Sequence, residues 1–144
     1  MIKEITIDIN EVAETLKKRN IQFTENGIFI MPEGYSESSD ILNEYTPDIH
    51  KVLKQNQVNN IVVKRESYEY LSLRDATVIL PLIIGIPFSI LSSFIYDWIK
   101  NNFDTQSIIK LRFTKKKKDG KYVEIEIEGD KNEIKTILDS LKDF

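Results

Sequence analysis

The chain of 144 residues is long enough for one domain or two small ones, and 41% of the residues are hydrophobic, which argues against a disordered chain. A formal net charge of -3 provides no overall positive field, so nucleic-acid binding would require a local basic patch. Because the sequence contains no cysteine, disulfides, thiolate metal sites and cysteine nucleophiles are excluded. The first residues form no secretory signal, and we expect synthesis in the cytosol.

Residues 1–66 predict a small α+β unit. Alternating isoleucines indicate a strand over residues 2–9, and Asn10 can cap a short helix after it. The pair Asn26-Gly27 between two apolar runs predicts a tight hairpin. Thr46-Pro47 is typical of a helix start, and this helix should reach Gln55 before a strand over residues 58–64.

Residues 105–144 predict a ββα unit. Apolar and charged residues alternate with a period of two over 109–113 and again over 123–128, which indicates an antiparallel hairpin with one buried face. Asp130 and Glu133 have the spacing of a capping box, and an apolar stripe follows them along a last helix.

Residues 67–104 surround a long apolar segment. Positions 76–96, ATVILPLIIGIPFSILSSFIY, contain no charged residue in a chain in which 30% of residues are charged. As a helix, the segment would span about 31 Å, close to the roughly 30 Å of bilayer hydrocarbon. We therefore predict an α+β chain with a long central apolar helix that crosses a membrane, or that forms the core of an oligomer.

Within this helix the small and polar residues would form a stripe that lines a pore or mediates contacts between helices. The stripe consists of Gly85, Ser89, Ser92, Ser93 and Tyr96. Alternatively, each serine hydroxyl bonds back to a carbonyl of the preceding turn. Tyr68, Tyr70 and Trp98 flank the segment, as aromatic residues do at membrane interfaces, while Pro81 and Pro87 predict a break or kink.

The sequence indicates no catalytic site. His50 is the only histidine, and we expect an ordinary helix residue because no cysteine or second histidine accompanies it. No phosphate-binding glycine motif is present, and we predict a protein that is not an enzyme and has no catalytic residue, metal or cofactor.

A basic run at the predicted hairpin turn has two interpretations. Exposed lysines can keep such a turn from pairing with other strand edges, or they can contact anionic headgroups or the phosphates of an oligonucleotide. The candidate residues are Lys110, Arg112, Lys115, Lys116, Lys117, Lys118 and Lys121.

Residues 80–142 consist of LPLIIGIPFSILSSFIYDWIKNNF, then IIKLRF, DGKYVEIEIEG and a short helix. This layout resembles small membrane-associated effectors of bacterial anti-phage defence operons, some of which are encoded beside nucleotidyltransferase-like genes. The resemblance implies a toxic protein that stays silent until infection and then oligomerises to permeabilise the inner membrane. Implied partners are further copies of the chain, membrane lipid, and a regulatory nucleotidyltransferase-like protein or a nucleotide or oligonucleotide ligand.

We therefore predict a non-enzymatic effector that forms a pore or ion channel in the bacterial inner membrane, or that is cytoplasmic until it is activated. The alternative is a soluble oligomeric adaptor in which residues 76–96 form the buried core helix. Neither interpretation specifies the activating ligand.

Overall fold

A computed structural model describes residues 1–72 and 76–142, which form ten strands and four helices in an α+β fold. The strands are β1 Ile2–Ile7, β2 Phe29–Ile30, β3 Gly34–Tyr35, β4 Asp40–Asn43, β5 Ile61–Val62, β6 Tyr68–Leu71, β7 Thr77–Ile79, β8 Ile83–Ile84, β9 Ile108–Lys116 and β10 Tyr122–Gly129. The helices are α1 Ile9–Lys17, α2 Thr46–Gln55, α3 over residues 88–102 and α4 Lys131–Ser140. In α3, a π-helical turn, Leu91–Ile95, lies between α-helical Phe88–Ile90 and Tyr96–Asn102.

Seven strands form the main sheet, in the order β1-β10-β9-β8-β2-β5, with β7 also paired to β9. The sheet is mixed, because β9 pairs antiparallel with β10 and parallel with β7 and β8. It therefore takes strands from all three segments that the sequence pattern distinguishes.

The two faces of the main sheet have different covers. Isoleucine, leucine, phenylalanine and valine side chains of β9 and β10 pack with α2, α3 and α4 in one core that includes Leu111, Phe113 and Ile125. On the opposite face, Leu16 of α1 packs on Phe29 and Ile84, which are paired across β2 and β8. The short β8 is therefore buried on both faces.

This burial explains the long apolar segment. A strand covered on both faces reads as a continuous hydrophobic run, as does the start of a helix that packs into the same core. Residues 77–84 form β7 and β8, which follow one edge of β9, and the helix begins only at Phe88. The prediction of one long central helix over residues 76–96 is wrong.

Two prolines separate the parts of this segment. Thr77 is opposite Ile108 and Ile83 is opposite Phe113, so the edge that faces β9 contains one extra residue between β7 and β8. Pro81 lies in this interruption, where it has no N–H to offer a ladder. Pro87 has extended backbone angles and forms the N-cap of α3.

The prediction of a membrane pore or ion channel is also wrong. It required a helix of about 20 apolar residues. The longest helix, α3, is separated from β8 by Gly85 and Pro87. Its last segment, Tyr96–Asn102, contains the charged residues Asp97 and Lys100. Throughout residues 1–72 and 76–142, each helix is too short or too polar to traverse a bilayer. The apolar residues of this segment instead lie in the core of the sheet and helices.

A second, three-stranded sheet has the order β3-β4-β6. Asn43 of β4 donates hydrogen bonds to the Ile79 carbonyl, 2.9 Å away, and to Glu33, 2.7 Å away. Arg112 of β9 forms an ion pair with Glu33 and donates to the Leu80 carbonyl at 2.8 Å. These bonds satisfy carbonyls at the interruption between β7 and β8 and attach the small sheet to the main one.

Several local predictions agree with the structure and others do not. The α2 helix and the capping box of α4 are present. The hairpin at Asn26-Gly27 is not formed, since β2 pairs with β5 and β8. The first helix is capped by Asp8, whose carboxylate accepts a hydrogen bond from the N–H of Asn10 at 2.9 Å.

A substitution at Gly85 tests the close approach between this residue, just after β8, and the Gly27 backbone. The φ of Gly85 is +79°, and a Cβ there would lie 2.2 Å from the Gly27 carbonyl oxygen. We expect Gly85→Ala to lower the free energy of unfolding by roughly 2 to 4 kcal/mol through backbone strain and overlap. The matched control is Gly120→Ala, with φ +88° but open space around the Cβ, and it should cost only about 1 to 2 kcal/mol. Urea denaturation measures both, and equal losses would contradict the close approach.

Candidate functional site

A groove opens between β6, the first turn of α2 and the residues around the end of β5. We call it the edge groove; its volume is about 220 Å³. It is lined by Leu42, Thr46, Pro47, His50, Val62, Lys64 and Tyr70. Parallel pairing of β4 and β6 places Leu42 opposite Tyr70, so these two side chains share the face of the small sheet that borders the groove.

The strand β6 is an edge of the small sheet, and all four of its residues are exposed. Tyr68 is 36% exposed, Tyr70 51% and Leu71 38%. The N–H of Asp40 donates to the Ser67 carbonyl, so the alternation along the strand directs the backbone N–H and C=O groups of Tyr68 and Tyr70 away from β4. Among the residues that the structure describes, no strand pairs with this outer edge.

Lys64 provides a cation beside this edge. Its Nζ atom lies 4.0 Å from the centroid of the Tyr68 ring. Hydrogen bonding to Lys64, and then its charge, lower the pKa of Tyr68 below the ordinary value for tyrosine. The Tyr68 and Tyr70 rings meet edge to face, with centroids 5.6 Å apart. No carboxylate in the described part of the chain forms an ion pair with Lys64.

Thr46 is the buried polar residue of the edge groove. It is 2% exposed, and its Oγ1 atom has no hydrogen-bond partner within residues 1–72 and 76–142. The N-cap of α2 is Tyr45, not Thr46 as the sequence suggested, and no side chain caps the helix. The positive end of the α2 dipole therefore lies at the groove without a capping oxygen.

His50 lies one turn further along α2. Its Nδ1 atom is 2.7 Å from Oδ1 of Asn60, whose amide nitrogen donates to the Val58 carbonyl. Because Asn60 Oδ1 is an acceptor, Nδ1 of His50 carries a proton and the Nε2 atom is left to accept or donate. The ring therefore has one nitrogen that can meet a ligand.

A buried ion-pair network fixes β4 behind the groove. Asp40 is fully buried, and both of its oxygens accept hydrogen bonds from Arg19, at 2.7 and 2.9 Å. The backbone N–H of Arg65 donates to the same carboxylate at 2.7 Å. Arg19 holds the pKa of Asp40 well below its usual range against the opposing effect of burial, and Arg65 lowers it further.

The residues of the predicted stripe lie within α3, apart from Gly85, which precedes the helix. Ser92 and Ser93 donate to the Ser89 carbonyl at 3.2 and 2.9 Å, which is the local bonding that the sequence left as the alternative. Tyr96 has the Lys135 ammonium above its ring. Gly85 lies in the turn after β8, and its N–H donates to the hydroxyl of Thr114 on β9. The long apolar helix that would carry the stripe is not formed by the described residues.

The three predicted interface aromatics are separated. Trp98 packs edge to face with Tyr45 and Phe103 beside α3. Tyr68 and Tyr70 lie on β6, where Tyr70 lines the edge groove.

The predicted basic patch is divided between the two faces of the main sheet. Lys110 and Arg112 face Glu126 and Glu33, while Lys115 donates to the Leu141 carbonyl on the helix-covered face. Lys116 and Lys117 lie within 3.5 and 3.4 Å of Glu25 and Glu4. Lys118 and Lys121 are exposed at the turn. Anion binding by these residues stays a prediction, but the structure does not bring them together as one site.

Sequence reasoning did not bring Thr46, His50 and Lys64 together. The sequence predicts a helix cap at Thr46 and an ordinary helix residue at His50, and it indicates no site at Lys64. The only signal was the change from an apolar strand to alternating polar and aromatic residues over 64–71.

Larger cavities lie elsewhere in the described part of the chain. A cavity of about 540 Å³ lies between α1 and residues 20–23. It is lined by Ala13, Glu14, Lys17, Asn20, Ile21, Gln22 and Phe23, none of which is buried. Across residues 1–72 and 76–142, no group of three His, Asp or Glu side chains could hold a metal ion.

No protein-family model matches the chain, and no significant match was found among curated proteins or solved structures. The edge groove is therefore described by its own geometry and chemistry.

Asp40 provides a test of the network behind the groove. We expect Asp40→Asn to lower the free energy of unfolding by roughly 3 kcal/mol, because two arginines lose a buried partner. Since the folded-state pKa of Asp40 is lowered, its contribution is present above the unfolded-state value and is lost as the pH falls below about 4. Urea denaturation at several pH values should show a smaller acid dependence for the variant.

The matched control is Asp139→Asn. Its carboxylate forms an exposed pair with Lys142, so the loss should be under about 0.5 kcal/mol. A loss for Asp40→Asn no larger than that of the control would contradict a structural role for the network.

Thr46 provides a test of the unpartnered hydroxyl. Thr46→Val keeps the shape and removes the buried polar atom, so we expect the free energy of unfolding to rise by about 1 kcal/mol. Thr46→Ser keeps the hydroxyl and removes a buried methyl, and should cost about 1 kcal/mol. Thermal unfolding compares the two, and destabilisation of both variants would show that the hydroxyl is satisfied.

Proposed function

We propose that this chain is a non-enzymatic adaptor that binds an extended peptide segment of a partner protein at the edge groove. The peptide adds as a strand to the outer edge of β6, and its side chains enter the groove. The observation that carries the proposal is an exposed edge strand, bearing two tyrosines and a leucine, beside a groove lined by apolar and polar side chains.

Strand addition suits the geometry of β6. The backbone groups of Tyr68 and Tyr70 point outward, so an added strand would satisfy two donors and two acceptors. Natural edge strands are usually protected by charge or proline, whereas β6 has only Glu69 among its four residues. Its exposed aromatic side chains are of the kind enriched at the centres of protein interfaces.

The occupant that we propose is a peptide and not a second copy of β6. In a symmetric antiparallel pair, residues that face each other lie on the same side of the sheet. Glu69 is opposite Ile41, on the side of the small sheet away from the groove. The only charged residue of a second β6 would therefore lie on the face opposite the groove and could not reach Lys64. Two copies of β6 would leave Lys64 without an anion.

The test is a random-peptide display library selected on the purified full chain, followed by affinity measurements on synthetic copies of the enriched peptides. We expect Tyr70→Pro to weaken binding at least tenfold, because the substitution removes an outward donor while proline is tolerated at a sheet edge. Tyr70→Val is the matched control, since it removes the ring but keeps the N–H, and it should retain more affinity than Tyr70→Pro.

Thermal unfolding must show that Tyr70→Pro folds like Tyr70→Val. Equal affinity of the two variants would contradict strand addition. Enrichment of the same peptides on wild type and on Tyr70→Pro would also overturn the proposal.

A further inference from the structure

We propose that the peptide bound at β6 carries an aspartate or glutamate whose carboxylate enters the edge groove and pairs with Lys64. This inference rests on the proposed function and names the chemistry of the partner. It assigns to the groove the role of selecting an acidic side chain from the added strand.

Three features of the groove favour an anion. Lys64 has no carboxylate partner in the described chain, whereas the next residue, Arg65, is paired with Asp40. The first turn of α2 has no side-chain cap, so its N–H groups favour negative charge. Thr46 Oγ1 is a buried hydroxyl with no hydrogen-bond partner among residues 1–72 and 76–142, and Thr46 lines the same cavity. Lys64, which follows β5, and the start of α2 with Thr46 border the same cavity.

A side chain of the added strand can place a carboxylate in the edge groove. Side chains of an added strand that lie on the same face as Tyr68 and Tyr70 point toward the groove, because opposed residues of paired strands share a face. A cavity of about 220 Å³ holds one side chain, and its walls include Leu42 and Val62, which suit a methylene stem. The cation then meets the end of that stem.

A carboxylate fits better than a phosphate. Among the described residues, the groove is lined by one lysine and no arginine, whereas phosphate groups are typically held by arginine forks or several donors. A single charge also balances a single cation. Asp48 and Glu44 lie near the helix start, and their charges would oppose a dianion more strongly than a monoanion.

The experiment uses the peptide most enriched by the display selection and an analogue in which its groove-facing acid is changed to the amide. Fluorescence anisotropy of the labelled peptides gives the dissociation constant for wild type, Lys64→Met and Lys118→Met. We expect the amide analogue to bind wild type about tenfold more weakly, and we expect Lys64→Met to bind both peptides equally. Lys118→Met is the control for net charge, because Lys118 is exposed at a distant turn, and it should behave as wild type.

Variants of Thr46 provide a second binding experiment in which a loss of stability can be separated from a loss of affinity. Thr46→Val should weaken binding of the acidic peptide several-fold and leave the amide analogue unchanged, while Thr46→Ser should retain the discrimination. A loss of stability cannot imitate this pattern, since Thr46→Val is expected to be the more stable variant.

The outcomes separate this inference from the proposed function. If Tyr70→Pro abolishes binding but Lys64→Met retains the preference for the acid, strand addition stands and the carboxylate site is overturned. Enriched peptides without a common acidic position would overturn it as well. A phosphoserine analogue that binds more tightly than the acidic peptide would show a phosphate site instead of the proposed carboxylate site.

Discussion

The pairing of β8 with β9 is the constraint on which the rest of this structure depends. β8 is only two residues long, and it is covered by the helix layer on one face and by α1 on the other. Such burial excludes charged side chains from the strand and from the turn that follows it. The turn is tight enough that Gly85 approaches the Gly27 backbone with no room for a Cβ. The direction of α3, and with it the helix layer, follows from this turn.

Attachment of the small sheet depends on the interruption beside that pairing. β7 and β8 both pair with β9, and this ladder is interrupted at Pro81. The Ile79 and Leu80 carbonyls therefore need other donors. Asn43 and Arg112 supply them, and Asn43 belongs to β4 of the small sheet. Buried polar contacts of this kind impose one arrangement because an alternative packing would leave several groups unsatisfied. The network of Asp40 with Arg19 and Arg65 then holds the other end of β4.

The charged residues divide into those with structural partners and those without. Arg19, Arg65 and Arg112 bind carboxylates or carbonyls that connect distant parts of the chain. Lys64 instead lies over an aromatic ring at the rim of a cavity, next to a strand edge that offers backbone groups outward. Preorganised donors beside an edge strand are the arrangement that peptide-binding domains use, since main-chain bonds give affinity and the cavity gives selectivity.

Local patterns in the sequence determined the elements whose periodicity comes from one covered face. The alternation in β9 and β10, the apolar side of α2 and the capping box of α4 each reflect contacts within a few residues, so they could be predicted. The sequence predicts Tyr68 and Tyr70 as aromatic residues beside a membrane-spanning helix, but that helix is not formed and the two tyrosines lie on β6.

The tertiary structure alone decided the central segment and the candidate site. An uncharged run indicates apolar surroundings, but it does not distinguish lipid from two protein layers, so residues 76–96 predict a long helix that the fold does not contain. The groove residues come together only because β4 pairs with β6 and α2 packs beside β5; they are Thr46, His50, Lys64 and Tyr70. Neither contact can be predicted from the local sequence pattern. Side-chain periodicity is a property of neighbours along the chain, whereas a groove is made by residues that folding brings together.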